Sequence, residues 1–142
     1  MKEDQFASLA DAQFQKGDVF SDRCPSREVL NHVTSRWGVL VLMALLNGEK
    51  QRFSQLRKRI LRISEKMLAQ TLQSLEKDGF VLRTVYPVVP PHVEYELTST
   101  GFEVANRVQG LAVWLEDNIH QIIEHQQDYE HKRAEKSMNS EK

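Results

Sequence analysis

Hydrophobic residues recur every three or four positions over the first third of the chain, which is the spacing of amphipathic helices. Phe6, Leu9 and Phe14 mark one short helix that ends before a glycine. The Cys-Pro-Ser run at 24–26 predicts the start of a second helix, because proline and serine favour helix starts. Residues 36–46 are apolar on nearly every side, which predicts a central helix that is mostly buried.

Residues 53–77 contain two further helical patterns that are separated by a short turn. Ser64 is placed to cap the second of these helices through its hydroxyl group. Leu68, Leu72 and Leu75 share one side of that helix and predict its buried face. The opposite, polar side carries Lys66, Gln70, Gln73 and Lys77.

Two strand-like runs follow, at 80–86 and 92–97, and both are rich in β-branched and aromatic residues. The five residues between them include three prolines, which cannot donate hydrogen bonds within a sheet. The pattern predicts a β-hairpin, or wing, whose tip extends away from the body.

A long helix is expected at 101–127. Thr100 and Glu103 have the spacing of a capping box at its start. Its apolar residues repeat at steps of four, three, four, four and three, so they form a stripe over some five turns. The stripe consists of Val104, Val108, Leu111, Leu115, Ile119 and Ile122.

The order of these elements is that of a mainly α fold with a small β-hairpin, a winged helix-turn-helix. We divide the chain into an N-terminal dimerisation helix or arm (1–20), a winged helix-turn-helix DNA-binding domain (21–100), a C-terminal dimerisation helix (101–127) and a charged flexible tail (128–142). The N- and C-terminal helices together are expected to form a dimer interface. Within it we place Phe6, Leu9, Phe14, Val108, Leu111, Leu115, Ile119 and Ile122.

Composition supports one domain-sized, globular chain. It has 142 residues, 40% of them hydrophobic, and a net charge of −1. The single cysteine cannot form an intramolecular disulfide, and no secretory signal or membrane-spanning run is evident, so we expect a cytoplasmic protein that does not enter a membrane.

Positive charge is concentrated in the helix-turn-helix region. Residues 50–66 include seven basic side chains and one acid, a local balance of +6, whereas residues 116–142 include seven acids and four bases. Lysine and arginine contacts to phosphates supply much of the affinity of DNA-binding proteins. Double-stranded DNA is therefore the expected partner, and the alternative is a merely solvated charged face.

Several short motifs resemble those of the HxlR-type winged helix-turn-helix transcriptional regulators of bacteria. The resemblance extends from about residue 24 into the long C-terminal helix, and its most specific part is the wing sequence Pro-Pro-His-Val-Glu-Tyr-Glu-Leu-Thr at 90–98. The other motifs are Cys24-Pro, Arg36-Trp-Gly, Arg52-Phe-Ser-Gln-Leu, Ile63-Ser-Glu-Lys-Met-Leu, Leu75-Glu-Lys-Asp-Gly and Gly101. The wing departs from the family pattern at Val88-Val89, where an acid is typical.

The resemblance implies a homodimeric DNA-binding regulator that binds a near-palindromic operator, often with a redox- or electrophile-sensing cysteine near the first core helix. Cys24 occupies that place. In this context Lys66, Gln70 and Gln73 are suited to base edges, and Arg52 and Arg83 to phosphates. The full set of expected DNA-binding residues is Arg52, Ser64, Glu65, Lys66, Met67, Gln70, Gln73, Lys77, Arg83, Pro90 and His92.

Other classes of function find less support in the sequence. His120, His125 and His131 do not share one helical face, so we expect no metal site, and no cofactor motif is present. We expect no enzymatic activity, because a thiol enzyme centred on Cys24 would lack a second cysteine or an evident base. The remaining alternative is a winged-helix protein-interaction module that does not read DNA. For Cys24 by itself, the alternative to sensing is an ordinary packed residue.

Overall fold

The computed structural model describes residues 18–140, which contain six helices and three short strands. The helices are α1 (Pro25–Thr34), α2 (Arg36–Ala44), α3 (Phe53–Arg59), α4 (Glu65–Lys77), α5 (Ser99–Asp117) and α6 (Ile119–Ser140). The strands are β1 (Gln51–Arg52), β2 (Val81–Tyr86) and β3 (His92–Leu97). The mainly α winged helix-turn-helix expected from the sequence is confirmed.

The wing is part of a three-stranded antiparallel sheet in the order β1-β3-β2. Strands β2 and β3 pair from Val81 opposite Leu97 to Tyr86 opposite His92. The sequence predicted this hairpin but not β1, because two residues are too short to show the alternation that marks a strand. Strand β1 lies against β3 and thereby joins the base of the wing to the start of α3.

The core lies around α2, as its apolar sequence predicted. Val41, Leu42 and Leu45 are completely buried there, together with Leu56 of α3. The inner face of α4 closes this core with Leu68, Leu72 and Leu75. The depth of α4 in the fold is therefore set by apolar burial along one side of the helix.

Two glycines allow backbones to approach more closely than any other residue would permit. A Cβ atom at Gly38 would lie 2.0 Å from the carbonyl oxygen of His32, and one at Gly101 would lie 2.0 Å from that of Phe80. Thr98 strengthens the second contact, because its hydroxyl donates to the carbonyl of Gly79 and accepts from the amide of Gly101. Thr98, and not the expected Thr100, thus caps α5.

The chain divides into two compact units, one ending at Val108 and one from Gln109 onward. The second unit contains the end of α5, a turn at Asn118 and α6. The sequence expectation of one uninterrupted helix over 101–127 is therefore wrong at Asn118, whose side-chain amide donates to the carbonyl of Trp114. The expected boundaries at 100 and 127 also differ from this division.

The expectation of a flexible tail from residue 128 differs from the structure, in which α6 continues to Ser140 with no buried residue. Exposed ion pairs one helical turn apart stabilise this helix, including Lys132 with Asp128 at 3.2 Å and His131 with Glu135 at 3.3 Å. Phe6, Leu9 and Phe14 lie outside the described residues. Within 18–140, no helix combines the length and the apolar character that crossing a membrane requires.

Candidate nucleic-acid interface

Helices α3 and α4 form the helix-turn-helix, and α4 turns its polar side outward. The turn between them includes Arg62, which has a positive φ of 72°. On α4 the side chains of Lys66, Gln70, Gln73 and Lys77 are exposed, opposite the buried leucines. The helical rise of about 1.5 Å per residue spreads these four side chains over roughly 16 Å. This length of exposed polar helix fits the major groove of DNA.

Ser64 and Met67 are tied together at the start of α4. The Ser64 hydroxyl accepts a hydrogen bond of 3.0 Å from the Met67 amide, so the predicted cap is confirmed. Ser64 therefore fixes where α4 begins. Met67 is partly exposed and presents a flexible apolar side chain on the same side as Gln70.

Glu65 is engaged by a neighbouring helix. Its carboxylate accepts a hydrogen bond from Arg57 of α3 at 2.8 Å, and both side chains are exposed. The pair bridges the two helices of the motif. Glu65 thus holds Arg57, whereas the sequence suggested only a position on the DNA-facing helix.

The basic side chains of the motif are all exposed, as the charge pattern predicted. They are Lys50, Arg52, Arg57, Lys58, Arg59, Arg62 and Lys66. Arg52 lies where β1 passes into α3, and its amide donates to the Gln55 side chain at 2.8 Å. Across the sheet Arg52 is paired in register with Glu94 of β3.

An aromatic stack lies where the two strands of the wing meet its tip. The rings of Tyr86 and His92 lie 4.7 Å apart and are inclined by 21°. His92 also approaches Glu94 at 3.5 Å, and only about a quarter of its side chain is exposed. His92 therefore lies at the base of the tip, not at its outer end.

The outer end of the wing is apolar. Val89 is 98% exposed and Val88 is about half exposed, beside the exposed Pro90. The tip therefore carries no charge for phosphates. A cation lies at the base of the tip, where the Lys50 ammonium group donates a hydrogen bond to the Tyr86 hydroxyl at 3.4 Å. This hydrogen bond and the nearby acidic groups of Tyr86 and Glu96 raise the pKa of Lys50 above its usual value.

The wing and α4 meet at a shallow cavity. Gln73 and Glu76 of α4 line it together with Arg83 of β2 and Tyr95 of β3. The cavity has a volume of about 300 Å³. The fold thus brings Arg83 next to the polar face of α4. In the sequence Arg83 lies ten positions after Gln73, beyond the turn that ends α4.

Cys24 is the residue immediately before the first turn of α1. It is a free thiol of intermediate exposure, and its side chain makes no capping hydrogen bond. An apolar groove of about 380 Å³ begins at the next residue, Pro25, and includes Leu30 of α1, Phe80 and Val104. The predicted position at a helix start is confirmed.

The apolar stripe of the C-terminal helices is exposed over most of its length. In the second unit, Leu111 is 60% exposed, and Leu115 and Ile119 are each about two-fifths exposed. Ile122 and, in the first unit, Val108 are half-buried. Trp114, for which the sequence favours packing in the core or the dimer interface over stacking on a ligand, is also 57% exposed in this region.

Two further residues of interest were missed at the sequence level. His32 of α1 and Asp78 at the end of α4 form a hydrogen bond of 2.6 Å. They are 46 positions apart, so no local pattern indicates the contact.

Among residues 18–140, no three histidine, cysteine, aspartate or glutamate side chains form a group that could hold a metal ion.

Comparison with known proteins agrees with this geometry. The family model of the HxlR-like helix-turn-helix matches residues 32–123. The HTH-type transcriptional regulator YtfH of Escherichia coli K12 is 58% identical over 111 residues, which cover 78% of this chain and 87% of that protein.

Solved structures show the same likeness. The transcriptional regulator ytfH from Salmonella typhimurium matches with a TM-score of 0.74 and 56% identity, over 79% of this chain and 99% of that one. The redox regulator HypR, solved in its oxidised form, matches with a TM-score of 0.61 and 36% identity, over 67% of this chain and 97% of that one.

Proposed function

Since this chain belongs to the HxlR-like helix-turn-helix family and is a transcriptional regulator of that type, we propose that it binds a near-palindromic DNA operator as a homodimer. In this proposal α4 is the recognition helix, which enters the major groove. The basic residues of the helix-turn-helix contact phosphates on either side of it. The chain acts by binding and carries out no catalysis.

The exposed polar face of α4 is the observation that carries the proposal. Its glutamine and lysine side chains can form paired hydrogen bonds with adenine and guanine edges. A helix with only a structural role would not require exposed glutamine and lysine side chains to lie beside exposed arginines. Phosphate contacts position the protein, and base contacts supply sequence preference.

A dimer is supported by the exposed apolar surface of the second unit. Leu111, Trp114 and Leu115 present large hydrophobic side chains to water within five residues of one another. Contiguous exposed apolar surface of this kind is typical of protein interfaces. A two-fold dimer would present two recognition helices, which explains why a near-palindromic operator is expected.

Cys24 is proposed as a redox- or electrophile-responsive residue, supported by the likeness to the redox regulator HypR. It lies immediately before the first turn of α1, has intermediate exposure and makes no side-chain capping hydrogen bond. As the chain's single cysteine, it can form a disulfide only with another molecule, such as the partner subunit's Cys24 or a small thiol. In that step two thiols lose two protons and two electrons to an oxidant such as diamide, which is reduced to the hydrazine.

Selection of genomic DNA fragments by the purified protein tests the proposal. Fragments bound at low and at moderate salt are sequenced, and the enriched motif is assayed against random DNA. We expect a two-fold symmetric motif whose half-sites are separated by about one helical turn or a multiple of it. Binding without enrichment of any sequence, or no binding at low salt, would instead favour a winged-helix module that binds proteins.

A further inference from the structure

The hydrogen bond between His32 and Asp78 links the first helix of the fold to the end of the recognition helix. The ring Nδ1 atom lies 2.6 Å from the carboxylate oxygen of Asp78. The His32 side chain is 23% exposed and that of Asp78 only 9%. Since a carboxylate can only accept, the histidine donates its Nδ1 proton in this contact.

Asp78 needs this donor. It is the residue that ends α4, and its side chain is largely buried, so the carboxylate requires a hydrogen-bond partner within the protein. The backbone around it is well defined, because the amides of Gly79 and Phe80 donate to carbonyls in the last turn of α4 at 3.0 and 2.9 Å. The donor on His32 thus compensates a buried charge at a fixed point of the recognition helix.

The other side of the contact is anchored equally firmly. The backbone carbonyl of His32 accepts from the Ser35 hydroxyl at 2.9 Å, and that hydroxyl accepts from the Gly38 amide at 3.0 Å. Gly38 packs directly against the same carbonyl. His32 therefore cannot move independently of α2, the helix at the centre of the core.

Side chains do not fill the space between the end of α1 and the part of α4 from Met67 to Ser74. A cavity of about 190 Å³ lies there, lined by Asn31, His32 and Ser35 on one side and by Met67, Gln70 and Ser74 of α4 on the other. The buried leucines set the depth of α4. The hydrogen bond at Asp78 adds a polar constraint beyond the end of this cavity.

We propose that His32 is a positioning residue that fixes the orientation of the recognition helix and thereby its sequence discrimination. This inference rests on the proposed function. Base contacts demand accurate placement of Gln70 and Gln73, whereas phosphate contacts by long lysine and arginine side chains tolerate small shifts. Loss of the contact should therefore reduce operator affinity more than affinity for random DNA.

The test compares His32→Leu with His32→Asn. Leucine removes the donor, while the asparagine amide nitrogen lies at about the same position along the side chain as Nδ1. At a temperature where circular dichroism shows each variant folded, we expect His32→Leu to lose about five- to tenfold in operator affinity, as for the loss of one hydrogen bond. Random DNA should be bound within about twofold of wild type, and His32→Asn should recover most of the loss.

A second measurement does not depend on DNA. Amide hydrogen exchange at Gly79 and Phe80 should be faster in His32→Leu and close to wild type in His32→Asn. Equal losses on operator and random DNA, or no loss on either, would overturn the positioning role. If wild-type protein selects no sequence, the proposed function fails, and unchanged exchange in His32→Leu would separately overturn the link between His32 and the end of α4.

Discussion

Gln70 is the residue whose substitution should separate recognition from general DNA affinity. It lies midway along the exposed face of α4. We expect Gln70→Ala to cost about 1–3 kcal/mol on the selected operator and to relax the base preference at one position. Operator titrations and a repeated selection measure both effects.

Two variants serve as comparisons for Gln70→Ala. Gln127→Ala removes an exposed glutamine from α6 and should leave binding unchanged. Arg52→Ala should weaken operator and random DNA alike and reduce the slope of log affinity against log salt by about 0.9. Indistinguishable behaviour of Gln70→Ala and wild type on the operator would contradict the placement of α4 in the groove.

Oxidation of Cys24 is expected to change the affinity of the protein for its operator. Diamide should lower operator affinity of the wild type, and a reductant should restore it where a disulfide has formed. Cys24→Ser should bind DNA with and without diamide, because its hydroxyl cannot form a disulfide. If wild type and Cys24→Ser respond identically in electrophoretic shift assays, Cys24 is a packing residue and the signal is sensed elsewhere.

At the scale of elements, the ion pair between α3 and α4 limits how freely Arg57 can bind phosphate. In Glu65→Gln the arginine faces a neutral amide, so it is released for DNA. We expect tighter binding to random DNA and a salt slope steeper by about one unit. The free energy of unfolding should change by less than about 1 kcal/mol, because the pair is exposed.

The control for this variant breaks an ion pair of similar exposure far from the motif in sequence. Asp128→Asn removes the partner of Lys132 on α6. It should leave the affinity for random DNA unchanged. A salt slope that is the same in Glu65→Gln as in wild type would show that Arg57 takes no part in phosphate binding.

The close approach of α5 to Phe80, the residue immediately before β2, depends on Gly101. A methyl group there would meet the Phe80 carbonyl, which is backbone and cannot turn aside. Gly101→Ala should therefore lower the free energy of unfolding by about 3 kcal/mol or more. Gly110→Ala is the matched variant on the same helix, with nothing within 4 Å, and should stabilise by up to about 1 kcal/mol. Urea titrations of both variants decide the point.

At the scale of the whole molecule, the exposed stripe predicts the oligomeric state. The double variant Leu111→Asp, Leu115→Asp places two carboxylates in the proposed apolar interface, where burial without partners is costly. We expect a dimer mass for wild type and a monomer mass for the variant by light scattering. Asn106→Asp, at an exposed position opposite the stripe on α5, should remain dimeric.

The affinity for the operator should also depend on the dimer. A monomeric variant with an intact helix-turn-helix should still bind random DNA, but it should lose the joint binding of two half-sites. A monomer mass for wild type at micromolar concentration would contradict the proposed dimer. Unchanged mass in the double variant would place the interface elsewhere.

The sequence by itself determined the elements whose signals are local. A nearly continuous apolar run predicted α2, and the period of apolar residues predicted α4. Ser64 marked the start of α4 because a cap acts within three residues. The β-branched runs around the prolines defined the wing. The concentration of basic residues and the polar side of α4 predicted the surface that we propose to face DNA.

Only the tertiary structure decided the features that depend on distant parts of the chain. The contact of His32 with Asp78 spans 46 positions, and β1 exists because β3 offers it a partner. Thr98 caps α5 in place of Thr100 because its hydroxyl also reaches the carbonyl of Gly79. Local propensity specifies helices and turns, whereas such pairings are selected by the packing of the whole core, which no short window of sequence contains.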